Sequence, residues 1–260
     1  MFVALKNLDI YLLSGILTFL PFYSMGQLSK GGERFQDKYG EICIHPIEHA
    51  SMVIEWNNMT IYIDPVGGAE PYAAFPDPDL LLITHVHPDH MNSRTLRALN
   101  LKLTTLIAPE NVAAKLKSIN FSSINILKNG EKTTHKGVSI EGVAMYNVPD
   151  SEDAHHPKGV GNGYILTLGK KRLYISGDSG PTPEMQNLKN IHIAFICMNL
   201  PYTMDVPSAA SAVLKFKPKI VYPYHYRNGD KSFSDVKEFK TLVGKSNPAL
   251  EVRLLEWYPD

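Results

Sequence analysis

The strongest constraint in the sequence is residues 80–92, where an apolar run leads directly into a group of histidines. Residues 80–83 are all leucine or isoleucine, and Pro78 and Pro88 bound this part of the chain. A short apolar run between such boundaries favours a central strand over a helix. We therefore expect the polar residues that follow to lie at the carboxyl end of a buried strand.

These polar residues are three histidines and an aspartate within six positions, namely His85, His87, Asp89 and His90. If the chain stays extended, the period of two puts His85 and His87 on one face, where both rings reach a single ion. Pro88 then turns the backbone and offers the other two side chains to a second ion. Imidazole nitrogen and carboxylate oxygen are ligands that zinc accepts readily, so the stretch predicts a metal site.

Three other residues end predicted strands. Asp64 follows an apolar strand and suits a hydrogen bond to the outer nitrogen of a ligand histidine, although a turn aspartate before Pro65 remains an alternative. Asp178 is flanked by small residues, which fits a carboxylate shared between two cations, and an ordinary turn is the alternative. His225 arrives at a strand end in the same way as His85.

The string His85-x-His87-x-Asp89-His90 resembles the metal-binding motif of the metallo-β-lactamase fold superfamily, whose members are mostly dinuclear metallohydrolases. Asp64 before this string, and Asp178 and His225 after it, fall in the order that the superfamily would give them. The resemblance covers about residues 41–256. It implies an α/β fold, a four-layer αββα sandwich in which helices flank two mixed sheets.

Three shorter strings look more like one branch of the superfamily, which contains ascorbate-6-phosphate lactonase and the phospholipase D that acts on N-acylphosphatidylethanolamine. They are His49-Ala-Ser51, His156-Pro-Lys-Gly159 and Pro201-Tyr-Thr-Met204. In the superfamily, a third histidine that binds the first metal comes from the part of the chain that corresponds to residues 147–163 here. His156 is preferred because it directly precedes Pro-Lys-Gly, and His155 is the close rival.

The resemblance implies two ligand sets with open positions for solvent. His85, His87 and His156 would hold one ion, and Asp89, His90 and His225 the other, with Asp178 bridging both. The implied cofactors are two divalent ions, zinc first, with manganese or iron as alternatives.

Water between two cations ionises near neutral pH and attacks a carbonyl or phosphoryl centre. The sequence therefore predicts a metal-dependent hydrolase that uses a bridging hydroxide on a small ester, lactone or phosphodiester. Asp89 and Asp178 are the predicted catalytic residues, and His49 and Tyr202 are weaker candidates for substrate contact. A non-catalytic metal-binding protein of the same fold and a nucleic-acid-processing member are the alternatives.

The charge balance argues against a polyanionic partner. Lysine plus arginine and aspartate plus glutamate each number 26, so no global field attracts nucleic acid or an anionic membrane. We expect a small-molecule substrate, and the sequence leaves the oligomeric state open. Cys43 and Cys197 each lie in an apolar run, as buried free thiols do, although pairing remains open in an exported protein.

Residues 1–26 resemble a secretory signal peptide, with an apolar run at 10–20 and a small-residue cleavage site at Ser24-Met-Gly26. This run is shorter than the roughly 20 apolar residues that span a bilayer. We predict an exported hydrolase domain at residues 27–260 with no membrane insertion after cleavage. An uncleaved anchor or a misplaced start are the alternatives, and without a signal the protein would be cytoplasmic.

Local patterns predict short elements throughout the rest of the chain. Residues 27–40 are interpreted as a polar spacer, and the loop at 65–78 is expected beside the site. Ser93 is the predicted cap of a helix that ends at Leu99. Further helices are predicted at residues 109–116, 207–216 and 233–243, and strands at 41–44, 51–55, 60–63, 103–108, 124–127, 131–135, 138–146, 164–168, 172–176, 191–198, 219–222 and 250–256.

Overall fold

The computed structural model describes residues 32–258 and contains two seven-stranded sheets. The predicted signal peptide at residues 1–26 lies outside this range and stays a prediction. The strands of the first sheet are adjacent in chain order. They are β1 (Glu33–Asp37), β2 (Gly40–Glu48), β3 (Ser51–Trp56), β4 (Met59–Ile63), β5 (Leu80–Leu82), β6 (Thr105–Ala108) and β7 (Ser123–Ile126).

The second sheet also keeps chain order from one edge to the other. Its strands are β8 (Lys132–His135), β9 (Val138–Met145), β10 (Gly161–Leu168), β11 (Lys171–Ile175), β12 (Ile193–Cys197), β13 (Ile220–Tyr224) and β14 (Glu251–Val252). The α-helices are α1 (Ser93–Ala98), α2 (Glu110–Lys115), α3 (Pro183–Gln186), α4 (Val206–Phe216) and α5 (Val236–Ser246). One turn of 3₁₀ helix, Glu70–Tyr72, interrupts the loop that follows β4.

Side-chain alternation along the strands explains the layering. In β4, Ile61 and Ile63 belong to the core between the two sheets, whereas Tyr62 packs with Leu96 of α1 and Val112 of α2 on the outer face. Residues of α4 and α5 join the same central core from the far side of the second sheet. The layers therefore run helix, sheet, sheet, helix, and the predicted αββα sandwich is confirmed.

The two sheets have the same internal topology. In each, the first three neighbouring pairs are antiparallel and the last three are parallel. Carboxyl ends of parallel strands meet at one edge of a sheet. Because β4–β7 and β11–β14 are the parallel groups, the residues that follow these strands are brought to the corresponding edge of each sheet.

Several local predictions need correction. The residues interpreted as a spacer contain edge strand β1, whose mostly polar sequence alternates between half-buried and exposed positions because successive side chains point to opposite faces. The cap of α1 is Asn92 and not Ser93, since the Asn92 side chain accepts a hydrogen bond from the amide of Thr95. Helix α5 begins after the Asp235 cap, three residues later than predicted, and α3 was not predicted because it contains only four residues.

Within residues 32–258, no helix is both long enough and apolar enough to cross a bilayer.

Tyr164 links the two sheets through its hydroxyl group, which is 3.4 Å from the carbonyl oxygen of Ile107 and closer to that of Ile83. Its hydroxyl donates to the carbonyl oxygen of Ile83, beyond the end of β5, over 2.8 Å, and the side chain is fully buried. We expect Tyr164→Phe to lower the free energy of unfolding by about 1–3 kcal/mol, because a buried carbonyl loses its partner. Denaturant unfolding measures this loss.

Tyr174→Phe is the matched control, since its hydroxyl is equally buried but has no hydrogen-bond partner. Removing that hydroxyl should leave stability unchanged or raise it slightly. Equal losses in both variants would contradict the role given to the Tyr164 bond.

Candidate metal centre

The predicted site residues converge where parallel strands end. Four of them follow β4, β5, β11 and β13 by one to three positions, namely Asp64, His85, Asp178 and His225. His87, Asp89 and His90 come from the turn after His85, and His156 comes from the loop between β9 and β10. The edges of the two sheets therefore bring together residues that are far apart in the chain.

The first donor set is His85, His87 and His156, whose ligand atoms all lie within 4.8 Å of one another. His85 Nε2 is 3.0 Å from His87 Nδ1. His85 and His156 are buried, whereas His87 is half-buried. Two ligands about 2.1 Å from a tetrahedral zinc ion lie about 3.4 Å apart, so the spacing of this set fits one ion.

The second donor set is Asp89, His90 and His225. The Nε2 atoms of His90 and His225 are 3.0 Å apart, and Asp89 Oδ2 lies 4.0 Å and 3.5 Å from them respectively. Both histidines are fully buried, but 47% of the Asp89 side chain is exposed. The set is thus closed on the protein side and open to solvent at Asp89.

Asp178 lies between the two sets, with one carboxylate oxygen toward each. Its Oδ2 is 3.4 Å from His156 Nε2 and 4.0 Å from His85 Nε2. Its Oδ1 is 3.2 Å from His90 Nε2 and 3.3 Å from His225 Nε2. This is the arrangement that a bridging carboxylate requires.

The chemistry of these donors fits cations. Asp178 Oδ1, His225 Nδ1 and both nitrogens of His156 are buried without a hydrogen-bond partner, despite the short distances. Within residues 32–258, neither Asp89 nor Asp178 pairs with a lysine or arginine. The buried carboxylate of Asp178 needs compensating positive charge, and divalent ions would supply it.

The protonation of the buried groups agrees with this. Burial lowers the pKa of His85 and His87, which keeps both rings in the neutral form that binds metal. Burial alone would also lower the pKa of His90, but Asp178 and Asp64 raise it well above its usual value. The carboxylates therefore draw positive charge to the position of His90.

Asp64 holds the ring of His90 from behind. Its Oδ2 lies 2.7 Å from His90 Nδ1, and its Oδ1 accepts a hydrogen bond from the Thr84 amide over 2.8 Å. The Thr84 hydroxyl donates to the same Oδ2 over 2.7 Å. A proton on Nδ1 of His90 would leave Nε2 free for a metal ion, and the hydrogen bond to Asp64 is the contact that the sequence predicted.

Three residues at or beside the site have strained backbone conformations. His49, Asp64 and His225 have φ values of 60°, 45° and 49°, in the left-handed region that residues other than glycine rarely adopt. Such conformations cost about 1–3 kcal/mol each and persist only where the surroundings enforce them. Gly177, at φ 58°, lies two residues after β11, where a β-carbon would come within 2.5 Å of Met145 Sδ.

His49, a weak candidate from the sequence, contacts the second donor set. Its Nε2 lies 3.2 Å from Asp89 Oδ2, and its ring lies 3.7 Å from that of His225 between centroids. The hydroxyl of Tyr258 is 2.8 Å from His49 Nδ1. Burial lowers the pKa of His49 to about 4, so the ring is neutral near pH 7.

Two other predicted residues lie away from the donors. His155 is exposed, and its ring is 5.0 Å from the ring of Tyr202. Tyr202 is itself 37% exposed. His156, and not His155, therefore belongs to the first donor set by position, while Tyr202 lies on the surface beside it.

Sequence reasoning missed three supporting residues. Thr84 could have been found, because it directly precedes His85 at the strand end. Asn147 holds the loop of His156, since its Oδ1 accepts from the His156 amide over 2.8 Å. Tyr258 is 209 positions from His49 and gave no signal.

A family model described as the β-lactamase superfamily domain matches residues 43–225. The chain belongs to the metallo-β-lactamase superfamily. The match contains every residue of both donor sets as well as Asp64 and Asp178. The recognition made from the sequence is thus confirmed, while the role of each residue as a ligand stays a prediction.

Several proteins that the chain resembles are named as metal-dependent hydrolases. The chain is 30% identical to a UPF0173 metal-dependent hydrolase of Pyrococcus horikoshii, over 75% of this chain and 89% of the relative. A crystal structure from Parabacteroides distasonis, assigned as a metal-dependent hydrolase, is 38% identical, with a TM-score of 0.77 over 87% of this chain and 99% of that one. Igni18, a metallo hydrolase of Ignicoccus hospitalis, is 25% identical, with a TM-score of 0.68 over 84% and 96%.

The neighbouring histidines 155 and 156 provide a matched test of the first donor set. We expect His156→Ala to lower the metal content by about one ion per chain, because a tetrahedral site at this donor set would lose one of its three histidine ligands. His155→Ala should retain the full metal content, since that ring points to Tyr202. Elemental analysis of the purified variants measures both, and equal metal loss would contradict the assignment.

Asp64→Asn tests the support of His90. The amide preserves the shape but weakens the bond that fixes the ring, so metal affinity should fall about 10- to 100-fold. Chelator competition measures the affinity. Asp79→Asn is the control, because Asp79 also accepts a backbone hydrogen bond, from Thr60, but lies outside the donor sets. An identical metal affinity in Asp64→Asn and wild type would refute the supporting role of Asp64.

Proposed function

We propose that this member of a metal-dependent hydrolase family binds two divalent ions, with zinc preferred, and hydrolyses a small ester, lactone or phosphodiester. The observation that carries the proposal is the position of Asp178, with one oxygen toward each donor set. Two ions at these sets would supply an activated water and stabilise the negative charge that develops on the substrate. Manganese or iron remain alternatives to zinc, because histidine and carboxylate donors suit them as well.

Other residues of the chain would orient the metal ligands and handle protons. Asp64 and Thr84 orient His90, and Asn147 fixes the loop of His156. Partial burial alone would raise the pKa of Asp89, but His225 and His49 hold it well below its usual value, so the group is a carboxylate at neutral pH. Its exposed oxygen can accept a proton or orient a nucleophile at the open side of the site.

A small substrate fits the surroundings better than a polymer. The solvent-facing side of the site is formed by Asp89 and half-buried His87, and the adjoining surface carries Tyr202 and His155. The formal charge of the chain is zero. Tracking a nucleic acid needs a basic surface, so we infer that the substrate is a small molecule.

The experiment is a side-by-side screen of the metal-loaded protein against phosphodiesters, lactones, simple esters and β-lactams. We expect about two ions per chain at the histidine and aspartate donor sets, and turnover in at least one of the first three classes. His87→Ala should reduce that turnover by at least about 100-fold, since even residues that only orient ligands cost about 10- to 100-fold. His135→Ala, on edge strand β8, is the control and should retain activity.

Each alternative function predicts a different experimental result. Full metal occupancy with no turnover in any class would favour a non-catalytic metal-binding protein. RNA binding that weakens steeply with salt would favour a nucleic-acid-processing enzyme. Protein purified without chelators that binds no metal, even after metal is added back, would refute the proposal.

A further inference from the structure

A separate group of side chains that could hold a metal ion lies on β2 and β3 of the first sheet. Cys43 and His45 are two positions apart on β2, and therefore share a face. Glu55 of β3 is paired directly with Cys43 in the antiparallel register, which puts it on the same face. None of these residues belongs to the two donor sets already described.

The donor atoms of this group are close together. Cys43 Sγ, one ring nitrogen of His45 and a carboxylate oxygen of Glu55 all lie within 4.8 Å of one another. His45 Nε2 is 2.9 Å from Glu55 Oε2. Glu41, also on this face of β2, brings its Oε2 to within 3.4 Å of Cys43 Sγ. Three potential ligands are thus close together, and Glu41 lies beside the cysteine.

The ring of His45 is held in the orientation that a ligand needs. Phe75 packs edge-on against it with 4.9 Å between ring centroids. Gly32 lies against the other nitrogen, so closely that a β-carbon there would be 2.6 Å from His45 Nδ1. These contacts leave Nε2 as the nitrogen that faces Cys43 and Glu55, and the ring needs little reorganisation to bind an ion.

The group has a buried side and a solvent-exposed side, as an accessible metal site requires. Cys43 is 6% exposed and the His45 side chain 13%, whereas the side chains of Glu55 and Glu41 are 38% and 40% exposed. An ion could enter past the two carboxylates. Arg34 forms an ion pair with Glu41 over 2.6 Å, so binding through Glu41 would require that pair to loosen.

We propose that Cys43, His45 and Glu55, with Glu41 as the fourth ligand, form a mononuclear zinc site. Thiolate, imidazole and carboxylate together are a donor set that zinc favours, and hard cations such as magnesium do not bind sulfur. The ion would join β2 to β3. His49 lies in the turn between these strands, so the site would also stabilise the segment that carries His49 toward the dinuclear centre.

Cobalt substitution tests this site separately from the dinuclear centre. Neither donor set of that centre contains a thiol, so a thiolate-to-cobalt charge-transfer band in the near ultraviolet reports only on a cysteine ligand. We expect reduced, cobalt-loaded wild-type protein to show this band and to bind one more ion than the dinuclear centre accounts for. Cys43→Ser should lose the band and that one ion.

Three further variants complete the test. Cys197→Ala should keep the band, because Cys197 is fully buried and contacts the Ser179 carbonyl. His87→Ala should lose ions from the first donor set and keep the band, which separates this proposal from the proposed function. Glu55→Gln should weaken binding of the additional ion, and its exposed position makes it suitable if Cys43→Ser does not fold.

The spectrum of the wild-type protein is the main test of the proposed mononuclear site. A folded, reduced protein that binds cobalt without the thiolate band would overturn the proposal. So would equal metal content in wild type and a folded Cys43→Ser variant. One bound ion with the band, in the absence of any ion at the histidine sets, would support this site while refuting the dinuclear centre.

Discussion

The structure depends on a buried carboxylate that is surrounded by imidazoles. Asp178 is 3% exposed, and its oxygens lie 3.2–4.0 Å from four histidine nitrogens without hydrogen-bond geometry. An ion removed from water costs several kcal/mol unless opposite charge compensates it. Within the described residues no lysine or arginine does so, and bound cations would supply the missing charge.

The repeated topology explains how the site is built. Each sheet changes from antiparallel to parallel pairing after its fourth strand, and an aspartate follows that strand in both halves, Asp64 after β4 and Asp178 after β11. The two aspartates nevertheless do different work. Asp64 is fully buried and bonds to Thr84 and His90, whereas Asp178 faces both donor sets. Equivalent positions thus provide an outer support in one half and a candidate bridging ligand in the other.

Much of the fold could be predicted from local patterns. The alternating and apolar runs identified most strands, and Asn57 and Asn58 form the tight turn between β3 and β4 with φ values of 48° and 61°. Elements without a strong local pattern were missed. β1 is a mostly polar edge strand, which pairs with β2 and packs only Phe35 against the core. Helix α3 is too short to show a period.

The sequence by itself determined the local chemistry. A buried strand followed by His85, His87, Asp89 and His90 predicts a metal site whatever the fold of the rest of the chain. It did not determine which distant residues complete that site. His155 and His156 are adjacent, and only the loop bonded to Asn147 turns one inward and leaves the other beside Tyr202. The contacts of His49 with Asp89 and Tyr258, like the division of the Asp178 oxygens, exist only after the sheets pack. Periodicity acts over a few residues, whereas these contacts join positions 40 to 209 apart, and the packing of the two sheets decides them.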